Sequence, residues 1–296
     1  MNIKRLAASG VMLAMLLTGA VMAHGETADF GNPADFKTGM EENFYVQEGS
    51  FRELDTIEMA SQGKLMSCFG NNAGSVYTVF FLPPAPEQDY AIGNPQRGWA
   101  DEAPTAIDDP EIENYPANPF FSPAGWQYKL RQDEALVLFT GLPPQCKYYS
   151  FINYILFTQE KELKDYTGEK AYFRVGNQDI GLYHPVFGSI GSPIHAGNAK
   201  STDGSPYGSQ AVIVISANQT VTDTVLAQLK ASGFSEDVIN VMTIPAETYR
   251  MGLEKGKDTF AFLGRISQPE SQEELDEADA ERNSRMTFTQ YSITSE

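Results

Sequence analysis

Three histidines are present, and their placement sets the chemistry open to this chain. His184 and His195 stand at the two ends of HPVFGSIGSPIH, a stretch rich in glycine and serine, and His24 lies near the start. Histidine serves as general base and as metal ligand because its ring titrates near neutrality. With Ser189 and Ser192 between the two later rings, one chemistry to weigh is a serine nucleophile activated by His184 or His195, as in a hydrolase. The elbow of such enzymes has glycine two residues before and two after the serine, and G-x-S-x-G occurs nowhere here. Gly188, Gly191, Pro185 and Pro193 account for the same stretch as a turn whose histidines are hydrogen-bonded structural groups. Other motifs fail more plainly. SQGK at Ser61 fits serine-x-x-lysine, but the KTG at Lys37 precedes it instead of following, and H-E-x-x-H, the P-loop and the dinucleotide fingerprint do not occur.

Residues 1–23, MNIKRLAASGVMLAMLLTGAVMA, have a basic start at Lys4 and Arg5, an apolar centre and a small-residue end. That is the layout of a signal peptide cut after Ala23. Ser9, Gly10, Thr18 and Gly19 keep the apolar run below the roughly 20 residues that span a bilayer. The expectation is a secreted or periplasmic protein whose mature chain has no stable membrane anchor. Cleavage removes two basic residues and takes the formal charge from −18 to −20. So acidic a surface repels nucleic-acid phosphates and excludes nucleic acid as a partner. In an oxidising compartment Cys68 and Cys146, the only cysteines, are expected to form a disulfide, worth about 4 to 5 kcal/mol in the chain-entropy model.

Two metal readings follow. Asp108, Asp109 and Glu111 belong to an acidic stretch whose oxygens suit calcium, although no EF-hand order of acids and glycine is present. Cleavage after Ala23 would make His24 the first residue, followed by Gly25, and an N-terminal histidine offers both its amine and its ring to one metal. At those two residues the chain resembles bacterial lytic polysaccharide monooxygenases. The resemblance implies a copper oxidoreductase in which His24 and a second imidazole, His184 or His195, brace the metal. The third possibility is that no cofactor is needed.

The elements that must position these residues read as β-rich α+β, mostly antiparallel, with one βαβ crossover near residues 211–245 and few short helices. The organisation expected is a flexible lead-in over 24–49, a single globular domain over 50–268, and an acidic tail over 269–296 that offers one possible edge strand in TFTQYSI. Ser50 and Glu53 predict a capping box and a short helix ending near Gly63. SVYTVFFLP predicts a central strand. WQYKL predicts a strand with one wet face carrying Gln127 and Lys129. ALVLF and YYSFINYILF flank the turn GLPPQC and predict two adjacent antiparallel strands. AVIVIS, then a helix capped by Thr220 and Asp223 and stopped at Gly233, then VINVMTIP, predict the crossover. TFAFLGRIS is a further strand.

Two segments look like long loops. Residues 83–125 hold nine of the 17 prolines and eight acids, and residues 176–210 hold seven glycines and both later histidines. Loops of that length within a compact domain are usually functional or disordered. The function expected is therefore a ligand- or surface-binding module that uses these loops. Tyr183, Phe187 and Tyr207 would then contact a small molecule, a glycan or a cell-surface partner. The hydrolase and the copper oxidoreductase are the alternatives.

Overall fold

Side chains along a strand alternate between its two faces, so a strand that is apolar at every position must be covered on both sides. EALVLFTG is such a segment, and the computed structural model of the chain puts it at the centre of a three-layer stack. The structure describes residues 29–53, 75–82, 128–159, 183–254, 256–269 and 290–295. Sheet 1 runs in the order β1 (Phe44–Glu48), β10 (Gln290–Ser295), β4 (Glu134–Gly141), β7 (Gln210–Ser216) and β8 (Ile239–Thr243). Sheet 2 runs β2 (Ser50–Glu53), β3 (Ser75–Phe81), β9 (Thr259–Pro269), β5 (Cys146–Gln159) and β6 (Tyr183–His195). Every strand pair is antiparallel except β7 with β8. This is the β-rich α+β class that the sequence predicts.

In sheet 1 the odd residues of β4, Ala135, Val137 and Phe139, join Val212 and Val214 of β7 under two helices, α1 (Pro33–Glu41) and α2 (Gln219–Ala231). Phe36 and Met40 of α1 and Val221, Val225 and Leu229 of α2 fill that layer, at the spacing that gives a helix one apolar face. The alternate residues, Leu136, Leu138, Ala211, Ile213 and Ile215, point the other way. They pack with Phe80, Tyr149, Phe151, Ile155, Phe260 and Phe262 of sheet 2 to form the second core.

The predicted crossover is present as β7, α2 and β8. Its cap differs by two residues from the predicted one. Asn218 accepts the backbone N–H groups of Thr220 and Val221 at 2.9 and 3.3 Å, while Asp223 accepts the Gln219 side-chain amide at 2.8 Å. Gly233 ends the helix with φ +86°, a conformation open to glycine.

Several expectations are corrected. Ser50–Glu53 is strand β2, not a capping box, since register with β3 pairs Phe51 with Phe80 and outweighs a local two-bond cap. The segment read as a flexible lead-in carries α1 and β1: Asn32 caps α1 over Pro33, and the chain from Asp29 to Asn32 is hydrogen-bonded to Ser232 and Ser235. β1 and β10 thus lie outside the expected 50–268 domain and yet belong to sheet 1. TFTQYSI supplies an inner strand, β10 between β1 and β4, and not an edge.

β4 and β5 are not neighbours. GLPPQC carries the chain from sheet 1 to sheet 2, because each strand needs its own sheet to cover two apolar faces. Lys129, placed on a wet face by alternation, is fully buried, and its ammonium donates to the Glu254 carbonyl oxygen at 3.2 Å. The helix predicted beyond Glu53, the loop over 83–125 and the acidic run after Pro269 lie outside the described residues.

Cys146 is also a correction. It opens β5 as a buried free thiol within the inter-sheet core, and burial pushes its pKa up. Its expected partner, Cys68, lies outside the described residues.

Two outcomes follow from these layers. Leu229→Ala should destabilise the protein by about 2–5 kcal/mol, because it empties a fully buried position. Lys230→Ala on the exposed face of α2 should stay within about 0.5 kcal/mol, and chemical denaturation distinguishes the two. In a Cys68→Ser variant, the Cys146 thiol should resist a disulfide reagent at mild alkaline pH and react at once in denaturant. Prompt reaction of the folded protein would contradict the buried, protonated thiol.

Candidate functional site

The histidine-bounded stretch of residues 184–195 is an edge strand and not a loop. HPVFGSIGSPIH forms nearly all of β6, paired with β5 from Tyr183 opposite Gln159 to His195 opposite Ser150. It escaped recognition because two bulges interrupt its alternation. Val186 and Phe187 together face Leu156, and Gly191 to Pro193 face Ile152, with positive φ at Phe187 and Gly191.

Extended backbone separates the candidate catalytic groups. At about 3.3 Å per residue, His184 stands roughly 15 Å from Ser189 and on the order of 30 Å from His195, and Ser192 stands about 10 Å from His195. The His195 ring is turned toward the following turn, where its Nδ1 accepts the backbone N–H of Gly197 at 3.0 Å. In the neutral ring that bond leaves the proton on Nε2, which then presents a donor and not a base. His195 therefore has the structural hydrogen bond foreseen for it, and the serine–histidine pair is not assembled.

The remaining Gly/Ser segment, residues 196–209, is a corner between the sheets. Leu142 N–H donates to the Ser209 carbonyl at 2.7 Å and Gly208 N–H to that of Pro143 at 3.0 Å, so the two passages between sheets pair with each other. Asp203 accepts from the Ser209 hydroxyl and from the Ser205 N–H, and these bonds hold its carboxyl below the usual range. The buried Asn240 amide exchanges bonds with the Lys200 backbone at 2.8 and 2.9 Å and ties the corner to β8.

The three expected ligand-binding aromatics are not gathered. Tyr207 stacks edge-on against Tyr149 and donates its hydroxyl to the Cys146 carbonyl at 3.3 Å, a structural role. Phe187 lies edge-on against Phe157, about 25 Å farther along β5. Tyr183 begins β6 at the Phe187 end. His24, Asp108, Asp109 and Glu111 lie outside the described residues, and among the described residues no cluster of three histidine, cysteine or carboxylate groups is placed to hold a metal.

A different group is brought together on the outer face of sheet 2. The register Tyr77–Arg265–Ser150–His195 forms one row across β3, β9, β5 and β6, and Ser75–Ser267–Tyr148 forms the row beside it. On β5 the long side chains of Tyr148 and Tyr154 bracket the short Ser150 and Ile152. The Arg265 guanidinium carbon lies 5.8 Å from the centre of the Tyr77 ring, a cation–π contact that fixes its plane. Arg265 Nε is buried without a hydrogen-bond partner, and among the described residues no carboxylate pairs with Arg265. Burial, foremost, with the neighbouring Tyr77 and Tyr148, raises the pKa of the Tyr154 hydroxyl against the pull of Arg265, so that hydroxyl stays protonated. The four side chains are close enough to act on one another electrostatically, and together they offer a planar cation, aromatic faces and hydroxyl donors.

Sequence reasoning passed over all four. The signal was present as polar and aromatic residues recurring at alternate positions of SVYTVFF, YYSFINY and FLGRIS, interrupted by Val79, Ile152 and Leu263. Each segment reads alone as an apolar strand, and only register places the exceptions side by side. The chain matches no family model, no curated protein and no solved structure.

Proposed function

We propose that this is an exported binding protein whose ligand surface is the outer face of sheet 2 around Arg265. One observation carries the reading: a guanidinium with no carboxylate partner among the described residues, held against tyrosine, in a chain of 39 acidic and 21 basic residues. In so acidic a protein, carboxylates are the commonest charged neighbours, and none of the described ones reaches Arg265. Tyr77, Tyr148 and Tyr154 add contact area with few rotatable bonds to order. The expected partner is a small molecule or a glycan, alone or displayed on a cell surface. For export, the support is the basic, apolar and small-residue order of residues 1–23.

The hydrolase and copper readings gain no comparable support. Nδ1 of His195 is already engaged, and strand geometry keeps the serines of β6 away from His184.

Ligand-observed saturation-transfer NMR on the mature protein, with a mixture of small organic acids and sugars, tests the binding reading. Arg265→Ala and Tyr154→Ala should each abolish or weaken the signal by about tenfold, whereas Tyr45→Ala, exposed on sheet 1, should not change it. Equal signals from all three variants would remove the site from this face. Export predicts that N-terminal sequencing of protein recovered outside the cytoplasm starts at His24, and a start at Met1 would overturn it.

A further inference from the structure

We propose that the outer edge of β8 is a self-association surface, at which the strand pairs antiparallel with β8 of a second copy of this chain about a two-fold axis at Val241. The surface belongs to sheet 1 and is independent of the Arg265 face. Its basis is where the backbone groups of β8 go. Ile244 N–H donates to the Ser216 carbonyl at 2.9 Å, so in the parallel ladder the residues Asn240, Met242 and Ile244 turn their N–H and C=O groups toward β7. Ile239, Val241 and Thr243, which alternate with them, turn theirs outward. The Ile239 N–H is used locally, donating to the Glu236 carbonyl of the preceding 3-10 turn. Among the described residues nothing bonds to the Ile239 carbonyl or to the backbone groups of Val241 and Thr243 on that side. The Val241 side chain is 45% exposed, and Thr243 is exposed beside it.

An open row of donors and acceptors invites another strand, and the other three sheet edges carry features that turn one away. β6 has Pro185, Pro193 and two bulges, and at its end the Asn198 side chain accepts the His195 N–H and donates to the Pro193 carbonyl. β2 includes Arg52 and Glu53, and β1 ends in Glu48, which is paired with Lys37. β8, INVMT, has no charge, no proline and no bulge. In a chain of formal charge −18, two copies repel each other over most of their surfaces, and an uncharged edge is where they can approach. The pattern of free groups fits a second copy. About an axis at Val241, the Val241 N–H and C=O of each copy bond those of the other, and each Thr243 N–H meets the Ile239 carbonyl opposite. Only the Thr243 carbonyl then faces a donor already in use, and it keeps its water. The two Val241 side chains cover each other on the helix side of the sheet. A five-residue edge buries less than the roughly 1,200 Å² of a stable complex, so the pairing is weak and depends on concentration. It also brings the Glu236–Asp237 end of one strand to the Glu247 end of the other, and salt therefore strengthens it.

Sedimentation velocity on the full-length protein, from about 10 μM to about 1 mM at low and high salt, tests the pairing. The sedimentation coefficient should rise with concentration toward that of a dimer, and rise further in high salt. Val241→Lys sets two ammonium groups against each other across the axis and should lower the association constant about tenfold or more. Tyr45→Lys, at the exposed far edge of the same sheet, should leave it unchanged, and the thermal transition of each variant reports whether it folds. A covalent trap gives a second readout. Opposite residues of a hydrogen-bonded pair have Cα atoms about 5.5 Å apart, within the range of about 4.4–6.8 Å that a disulfide spans. In a Cys68→Ser background, Val241→Cys should therefore give a cross-linked dimer under mild oxidation, and Tyr45→Cys should not. A protein that stays monomeric at every concentration and salt, or an association that Val241→Lys leaves intact, would overturn the proposal. Capture of an added extended peptide by protein that stays monomeric would assign the edge to a foreign strand and overturn the self-pairing.

Discussion

The need to bury both faces of sheet 1 organises the rest of the molecule. β4 and β7 carry apolar side chains at nearly every position, and each row must meet a layer of its own. On one side that layer is α1 and α2, on the other it is sheet 2. Sheet 2 therefore has one face committed to the core, and its other face mixes buried positions, Val79, Ala261 and Ser150, with the exposed Tyr148. Polar and aromatic residues are admitted to that remaining face at little cost, and there Arg265, Tyr77, Tyr148 and Tyr154 are found. The location of the candidate site is thus a consequence of how the core is divided, not of any local motif.

The two passages between sheets bear the strain of this arrangement. Residues 142–145 and 196–209 must leave one layer and enter another within a few residues, and their backbone groups cannot reach either ladder. They satisfy one another instead, through the Leu142–Ser209 and Gly208–Pro143 pairs, with Asp203, Ser205 and Asn240 taking up what remains. Glycine and serine are common here because a tight corner needs positive φ, as at Gly204 and Gly208, and short hydroxyls that bond locally. The same residue types would furnish a catalytic loop. Composition alone leaves the two uses equivalent, and hydrogen bonding decides for the corner.

What was legible in the sequence depended on how far apart in the chain an interaction acts. The β7–α2–β8 crossover was legible because its pattern changes from apolar run to helical spacing and back within one short stretch, with a glycine to mark the end. β3, β4, β5 and β9 were legible as strands. Their partners were not, since β4 and β5 are adjacent in sequence and yet belong to different sheets, joined by prolines that read equally well as a hairpin turn. Ser50 and Glu53 formed a sound local signal that long-range pairing with β3 overrode. Lys129 illustrates the limit of alternation, for a long amphipathic side chain can bury its stem if its ammonium finds a carbonyl, here that of Glu254. The candidate site was least legible, because its members lie on three strands spread between positions 77 and 265, and no window of the sequence contains two of the strands that matter most.

Charge gives the proposed site its selectivity through distance. Beyond about 8 Å in physiological salt the acidic surface dominates what an approaching anion feels, and it opposes anions in proportion to their charge. Within contact range a single guanidinium, partly desolvated and already oriented by Tyr77, dominates instead. An acidic surface around a contact arginine is therefore a stricter filter against polyanions than a basic surface would be, since a basic surface attracts every anion and most strongly those with the most charge. In that sense the low isoelectric point and Arg265 act together at the proposed site.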